Sequence, residues 1–187
     1  IEIPDAIDVC TQGIIGNIGS SDGIVPIWNS AAHLFSDNFS AVPSRCLTQV
    51  AAVELPAELQ SPGFSLLAAG YTETIFEREQ RRFDIRLCVR NFPESAKLTS
   101  AAEFEDLNFQ QAMSADDSGV IRLQFERDGQ FDGLLFWTEV ETVPGDVVDF
   151  LDHQQAWLPV YMPVLDVPVA VMAGDVAEIE WHRETGV

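Results

Sequence analysis

Side chains able to act as acids, bases, nucleophiles or ligands are sparse in this sequence, and their spacing narrows what they can do. The densest stretch is Thr11-Gln-Gly-Ile-Ile-Gly-Asn-Ile-Gly-Ser-Ser-Asp-Gly23, a glycine-rich loop with a single carboxylate, Asp22. Within it, Gly16-x-x-Gly19 is a weak pattern for phosphate or nucleotide contact, and it suits a tight turn over a sheet at least as well. His33, His153 and His182 are scattered. None stands at metal-ligand spacing from another His or Cys, so no metal centre is expected. Gly19-Ser-Ser is not the Gly-x-Ser-x-Gly turn of a nucleophile elbow. Glu103, Glu105 and Asp106 read as an acidic run on the solvated face of a helix. Of the four tryptophans, Trp28, Trp137 and Trp181 read as core.

Bulk properties exclude several roles. Thirty Asp+Glu against ten Lys+Arg give a net charge of −20. That field repels nucleic acid and anionic membranes and attracts cationic partners, a basic peptide among them. No apolar run approaches the ~20 residues that span a bilayer, and the N-terminus lacks a basic-then-apolar signal. Cys10, Cys46 and Cys88 are odd in number, far apart and without CxxC spacing, as expected of reduced, mostly buried thiols in a cytoplasmic protein. A length of 187 residues suits one good-sized domain, or one domain plus a remnant of another.

The elements that must position the loop follow from hydrophobic patterning. Ile1 to Cys10 reads as a short buried strand feeding the loop, and ligand sites of open α/β sheets lie where strand ends meet such loops. A short helix is expected over 29–40. Arg45 to Leu55, closed by Pro56, reads as a strand. Ser65 to Arg82 carries Leu67, Tyr71, Ile75 and Phe76 at near-helical spacing, an amphipathic helix inserted between strands. Phe83 to Arg90 alternates strictly, with Phe83, Ile85, Leu87 and Val89 on one face. Ser100 with Glu103 forms a capping-box pattern opening a helix over 100–113. Gly119 to Glu126 and Phe131 to Glu141 read as strands joined by an Asp-Gly hairpin turn at Arg127-Asp-Gly129. Ala156 to Met162 and Ala177 to His182 add two more. The fold class is therefore mainly β, a β-barrel or sandwich with a helical arm at about 57–82.

Three segments together resemble the protein arginine methyltransferase family. Ile7-Asp-Val-Cys10 with Gly16-Asn-Ile-Gly-Ser-Ser-Asp-Gly23 is similar to the strand and loop that end its α/β methyltransferase domain. Val42-Pro-Ser-Arg45 is similar to the entry of its β-barrel. Gly133-Leu-Leu-Phe-Trp137, Trp157 and Gly174-Asp175 match its barrel motifs in order. The resemblance implies a division into residues 1–28, the end of the α/β domain, and residues 29–187, the barrel with its arm. It also implies a class I S-adenosylmethionine-dependent enzyme whose barrel walls the acceptor cleft and whose arm makes a homodimer. Asp22 is then the acceptor-side acid, with Asn17, Gly19 and Trp157 as substrate-side positions. The family grips guanidinium with two glutamates, since paired carboxylates match its planar fork. Here Gly13 stands at the first position and the shorter Asp22 at the second. The acceptor is accordingly either a basic peptide or a small molecule. The family's cofactor loop, which follows a first strand and opens a helix, is missing, so S-adenosylmethionine belongs to the intact enzyme and none is expected bound to this chain. The chain reads as the back part of a two-domain enzyme, inactive by itself; the alternative is a standalone, non-catalytic β-barrel interaction module.

Overall fold

The computed structural model describes residues 6–59, 66–80 and 86–184. In chain order the elements are β1 (Ile7–Thr11), α1 (Ile24–Ala31), β2 (Phe35–Val42), β3 (Arg45–Val53), α2 (Leu66–Glu79), β4 (Leu87–Cys88), β5 (Ala102–Asn108) and β6 (Asp117–Gln124). There follow β7 (Gly129–Phe131), β8 (Gly133–Val143), β9 (Asp146–Asp149), β10 (Val160–Pro163), β11 (Val169–Val171) and β12 (Val176–Arg183). The fold is mainly β, as the patterning indicates. Among the described residues, no helix is long and apolar enough to cross a membrane.

β1, α1 and β2 form one β–α–β unit, with β2 parallel to β1 and Cys10 opposite Ala41. The helix expected over 29–40 is displaced: α1 ends at Ala31, and the second half of that stretch is strand. Packing decides this against weak local propensity. Phe35 and Phe39 stack at 4.5 Å between ring centres, and both lie against Trp28 of α1.

The main sheet runs β4-β10-β8-β3-β5, with β9 added to β8. Its central strands are buried on both faces. Val50, Ala52, Leu134 and Phe136 face Ile121, Leu123 and Phe125 of the β6–β12 ribbon and the turn after it. Ala51, Val53, Leu135 and Trp137 face Val89, Phe92 and Ala96 on the other side. Strands covered on both faces read as continuous apolar runs, which is how Gly133 to Trp137 reads.

Two expectations fail for stated reasons. The helix over 100–113 is instead β5, antiparallel to β3. Glu105 pairs with Thr48 and Glu103 with the adjacent Gln49, so Phe104 is an extra residue in a β-bulge. The bulge breaks the period of two and hides the strand, and it turns Phe104 onto Phe136 and Trp181. The hairpin at 127–129 does not form either. β6 pairs with β12, whereas β8 pairs with β3, β10 and β9. Both β6 and β8 present apolar faces to one core, so they bury more by facing each other across sheets than by lying side by side. Of the alternating stretch 83–90, residues 83–85 lie outside the described residues. Leu87 and Val89 are more buried than Arg86, Cys88 and Arg90, as the alternation requires.

Candidate functional site

The glycine loop is held rigidly, and its backbone explains its composition. Gly16 N–H donates to Gly19 O, Ser21 N–H to Ile18 O and Gly23 N–H to Ser20 O. A Cβ on Gly16 would stand 2.0 Å from Ser21 Oγ and 2.8 Å from Ile18 O. Gly23, at φ 79°, needs glycine for its left-handed backbone. Gly19 N–H donates to Thr48 Oγ1 at 3.0 Å and Ser20 N–H to Glu105 Oε2 at 2.9 Å. With these donors already used internally, Gly16-x-x-Gly19 acts as a tight turn over the sheet and offers little to a phosphate.

Barrel residues complete the loop's seat. Trp157 Nε1–H donates to Ile15 O, and its ring meets Phe150 edge-on at 4.8 Å. Asn17 Oδ1 accepts from Leu158 N–H at 3.1 Å, while Asn17 Nδ2 donates to Cys88 Sγ at 3.2 Å. A cleft of about 370 Å³ opens between the loop and the barrel, within the range of small-molecule sites. Asn17, Asp22 and Trp157 all line it, although Trp157 is 135 residues beyond Asp22 in sequence (157 − 22). Ile15, Ile18 and Val160 supply apolar wall, β4 contributes Cys88, and Arg86 stands just before β4.

Other sequence-derived positions lie elsewhere. Gly19 does not line the cleft; it is buried behind the loop, where a Cβ would meet Glu105 Oε2 at 3.0 Å and Leu107 Cδ1 at 3.1 Å. Gly13 is exposed, with nothing within 4 Å of a built Cβ, and does not line the cleft. Asp22 is thus the one carboxylate among the lining residues. His33, His153 and His182 are at the surface. No group of three His, Cys, Asp or Glu side chains among the described residues could hold a metal ion.

Glu105 corrects a sequence reading. It is no solvated helix residue but a strand residue only 4% exposed. Its carboxylate takes Arg183 Nη1 of β12, the Ser20 N–H and, at 3.4 Å, Thr48 Oγ1. Loop, main sheet and last strand therefore meet on one buried charge. Burial, and secondarily the charges of Glu105 and Asp106, push the Cys46 thiol far above its ordinary range, so it stays protonated. Nothing local could have found Arg86, because its relation to Asp22 comes from the tertiary fold.

No family model matches this chain, and no curated protein is similar to it in sequence. Among solved structures the fold is similar to the Trypanosoma brucei PRMT1 enzyme–prozyme heterotetrameric complex with AdoHcy. The TM-score is 0.72 at 13% identity, and the match covers 96% of this chain and 59% of that one. At this identity the likeness is one of fold. The chain spans little more than half the length of the chain it matches.

Proposed function

We propose that this chain is the acceptor-side and dimerisation part of a class I S-adenosylmethionine-dependent methyltransferase. The observation that carries the reading is the convergence of Asn17, Asp22 and Trp157 on one cleft between a glycine loop and a β-barrel, in a fold similar to that complex. The parallel pair β1–β2 supports it as well. Parallel strands occur almost only in larger sheets covered on both faces, yet Val9 of β1 is 62% exposed. In the intact enzyme the cofactor supplies an activated methyl group. The cleft residues do not fit that cofactor, because the N–H groups of Gly16, Gly19, Ser20 and Ser21 are spent internally and no glycine-rich strand–loop–helix pattern occurs within this sequence. The donor is therefore held by other residues, and these 187 residues alone are inactive. What this chain provides is placement: Asp22 takes the cationic end of the acceptor, and Asn17 and Trp157 fix the wall it rests on. On α2, Tyr71 and Ile75 are 66% and 48% exposed, apolar surface that an arm would bury against a second copy.

Labelled-methyl transfer by the complete gene product, with small amines and arginine-containing peptides as acceptors, tests the reading. Transfer is expected to fall at least tenfold in Asp22→Asn, the order of one charged hydrogen bond. Transfer undiminished by that change, or no transfer to any acceptor, would refute it; the latter would favour the non-catalytic module.

A further inference from the structure

The charge pattern of the cleft selects among acceptors. A guanidinium clamp needs two carboxylates, and here there is one, Asp22, because Gly13 offers no side chain and lies outside the cleft. The Asp22 carboxylate is turned to the loop side of the cleft, with Oδ1 3.0 Å from where a Cβ on Gly16 would be. The cleft also carries a cation, Arg86, in a protein where cations are scarce. Arg45, Lys97, Arg122, Arg127 and Arg183 each pair with a carboxylate. Among the described residues Arg78, Arg86 and Arg90 have no such partner, and of these Arg86 is the one that lines the cleft. A guanidinium lining the same cleft as Asp22 disfavours a cationic peptide side chain there and offers a fork for a carboxylate or phosphate. The long-range field of the acidic surface attracts cations, but inside a cleft nearby charges dominate over screened distant ones.

We propose that the cleft takes a small zwitterionic acceptor, its amine toward Asp22 and its anionic group toward Arg86, in preference to arginine in a peptide. This rests on the methyltransferase reading above only for the word acceptor; the ligand class stands on the two charges. A volume of about 370 Å³ accommodates a molecule of that size and excludes little else on steric grounds.

Calorimetry on the 187-residue chain with 5-aminopentanoate, pentylamine and pentanoate tests the proposal. The amino acid is expected to bind about tenfold more tightly than either singly charged probe, the order of one charged contact. Arg86→Gln should lower 5-aminopentanoate affinity about tenfold without weakening pentylamine, while Asp22→Asn weakens both amines. Arg86 is exposed, so its replacement leaves the core intact, and an unchanged amide spectrum verifies that. Equal binding of the three probes overturns the proposal. So does 5-aminopentanoate affinity unaffected by Arg86→Gln, or no binding of it at millimolar concentration. None of these readouts uses a methyl donor. A protein that passes them yet transfers no methyl group therefore contradicts the methyltransferase reading and leaves the ligand class in place.

Discussion

Breaking the buried pair between Glu105 and Arg183 should destabilise the whole protein and loosen the glycine loop with it. Glu105 is 4% exposed and the Arg183 side chain 13%. In Arg183→Met the carboxylate keeps two neutral donors, the Ser20 N–H and the Thr48 hydroxyl. It loses the Arg183 guanidinium, and Ser114 O loses a donor at 2.9 Å. Removing one member of a buried ion pair costs about 3–5 kcal/mol, because the other charge is left desolvated. Arg183 retains some water contact, so the lower end, about 3 kcal/mol, applies. For a protein of this size that is a fall in Tm of roughly 6–12 °C. Glu105→Leu should cost a similar amount, with the added loss of the acceptor for Ser20. The double variant Glu105→Leu/Arg183→Met should cost far less than the sum, since a pair replaced by apolar groups is often near neutral. Urea unfolding of the four proteins gives the coupling energy, expected to exceed about 2 kcal/mol. Single variants that each cost under about 1 kcal/mol, as exposed pairs do, would refute this reasoning. Strict additivity would do the same.

Two further changes probe the loop and the sheet. Gly16→Ala forces a Cβ to 2.8 Å from the Ile18 carbonyl, so the loop must shift; a loss of about 1–3 kcal/mol is expected, with amide shifts over 17–22. Gly13→Ala, where the added methyl meets open space, should be near neutral, and equal stability of the two variants would contradict the packing described. Burial, followed by the charge of Asp149, raises the carboxyl of Glu139 above its ordinary 4.5, against an opposing hydrogen bond from Gln49. A raised folded value means its contribution is complete below 4.5 and is lost as pH climbs through the raised value. Relative to the parent, Glu139→Gln should therefore gain in Tm as pH rises across that window and level off above it. A difference that is flat with pH would count against the shift.

How much of this was legible in the sequence depends on where each decision is made. Arg45 to Val50 and Leu87 to Val89 were readable because burial there alternates with the pleat, and Val50 to Val53 because a strand covered on both faces is a continuous apolar run. Ser65 to Arg82 was readable because Leu67, Tyr71 and Ile75 recur every four residues, and Leu66–Glu79 is helix, with 65, 81 and 82 outside the described residues. Residues 100–113 misled because one extra residue, Phe104, shifts the alternation, while Ser100 and Glu103 happen to imitate a cap. Phe35–Val42 misled because only pairing with β1 and stacking on Trp28 make it a strand. In the cleft, Asn17, Asp22 and Trp157 were singled out by the order of motifs, and the fold places them together. Arg86 was passed over and Glu105 misread as solvated because their significance lies in residues far away in sequence: Ser20 is 85 residues from Glu105, and Arg183 is 78.

Paired calorimetric titrations with S-adenosylmethionine test most directly whether this chain is one half of a larger catalyst. The complete gene product should bind the cofactor with about micromolar affinity, near −8 kcal/mol, whereas the 187-residue chain should give no measurable heat. Micromolar binding by these residues alone, or none by the complete product, would contradict that division of labour.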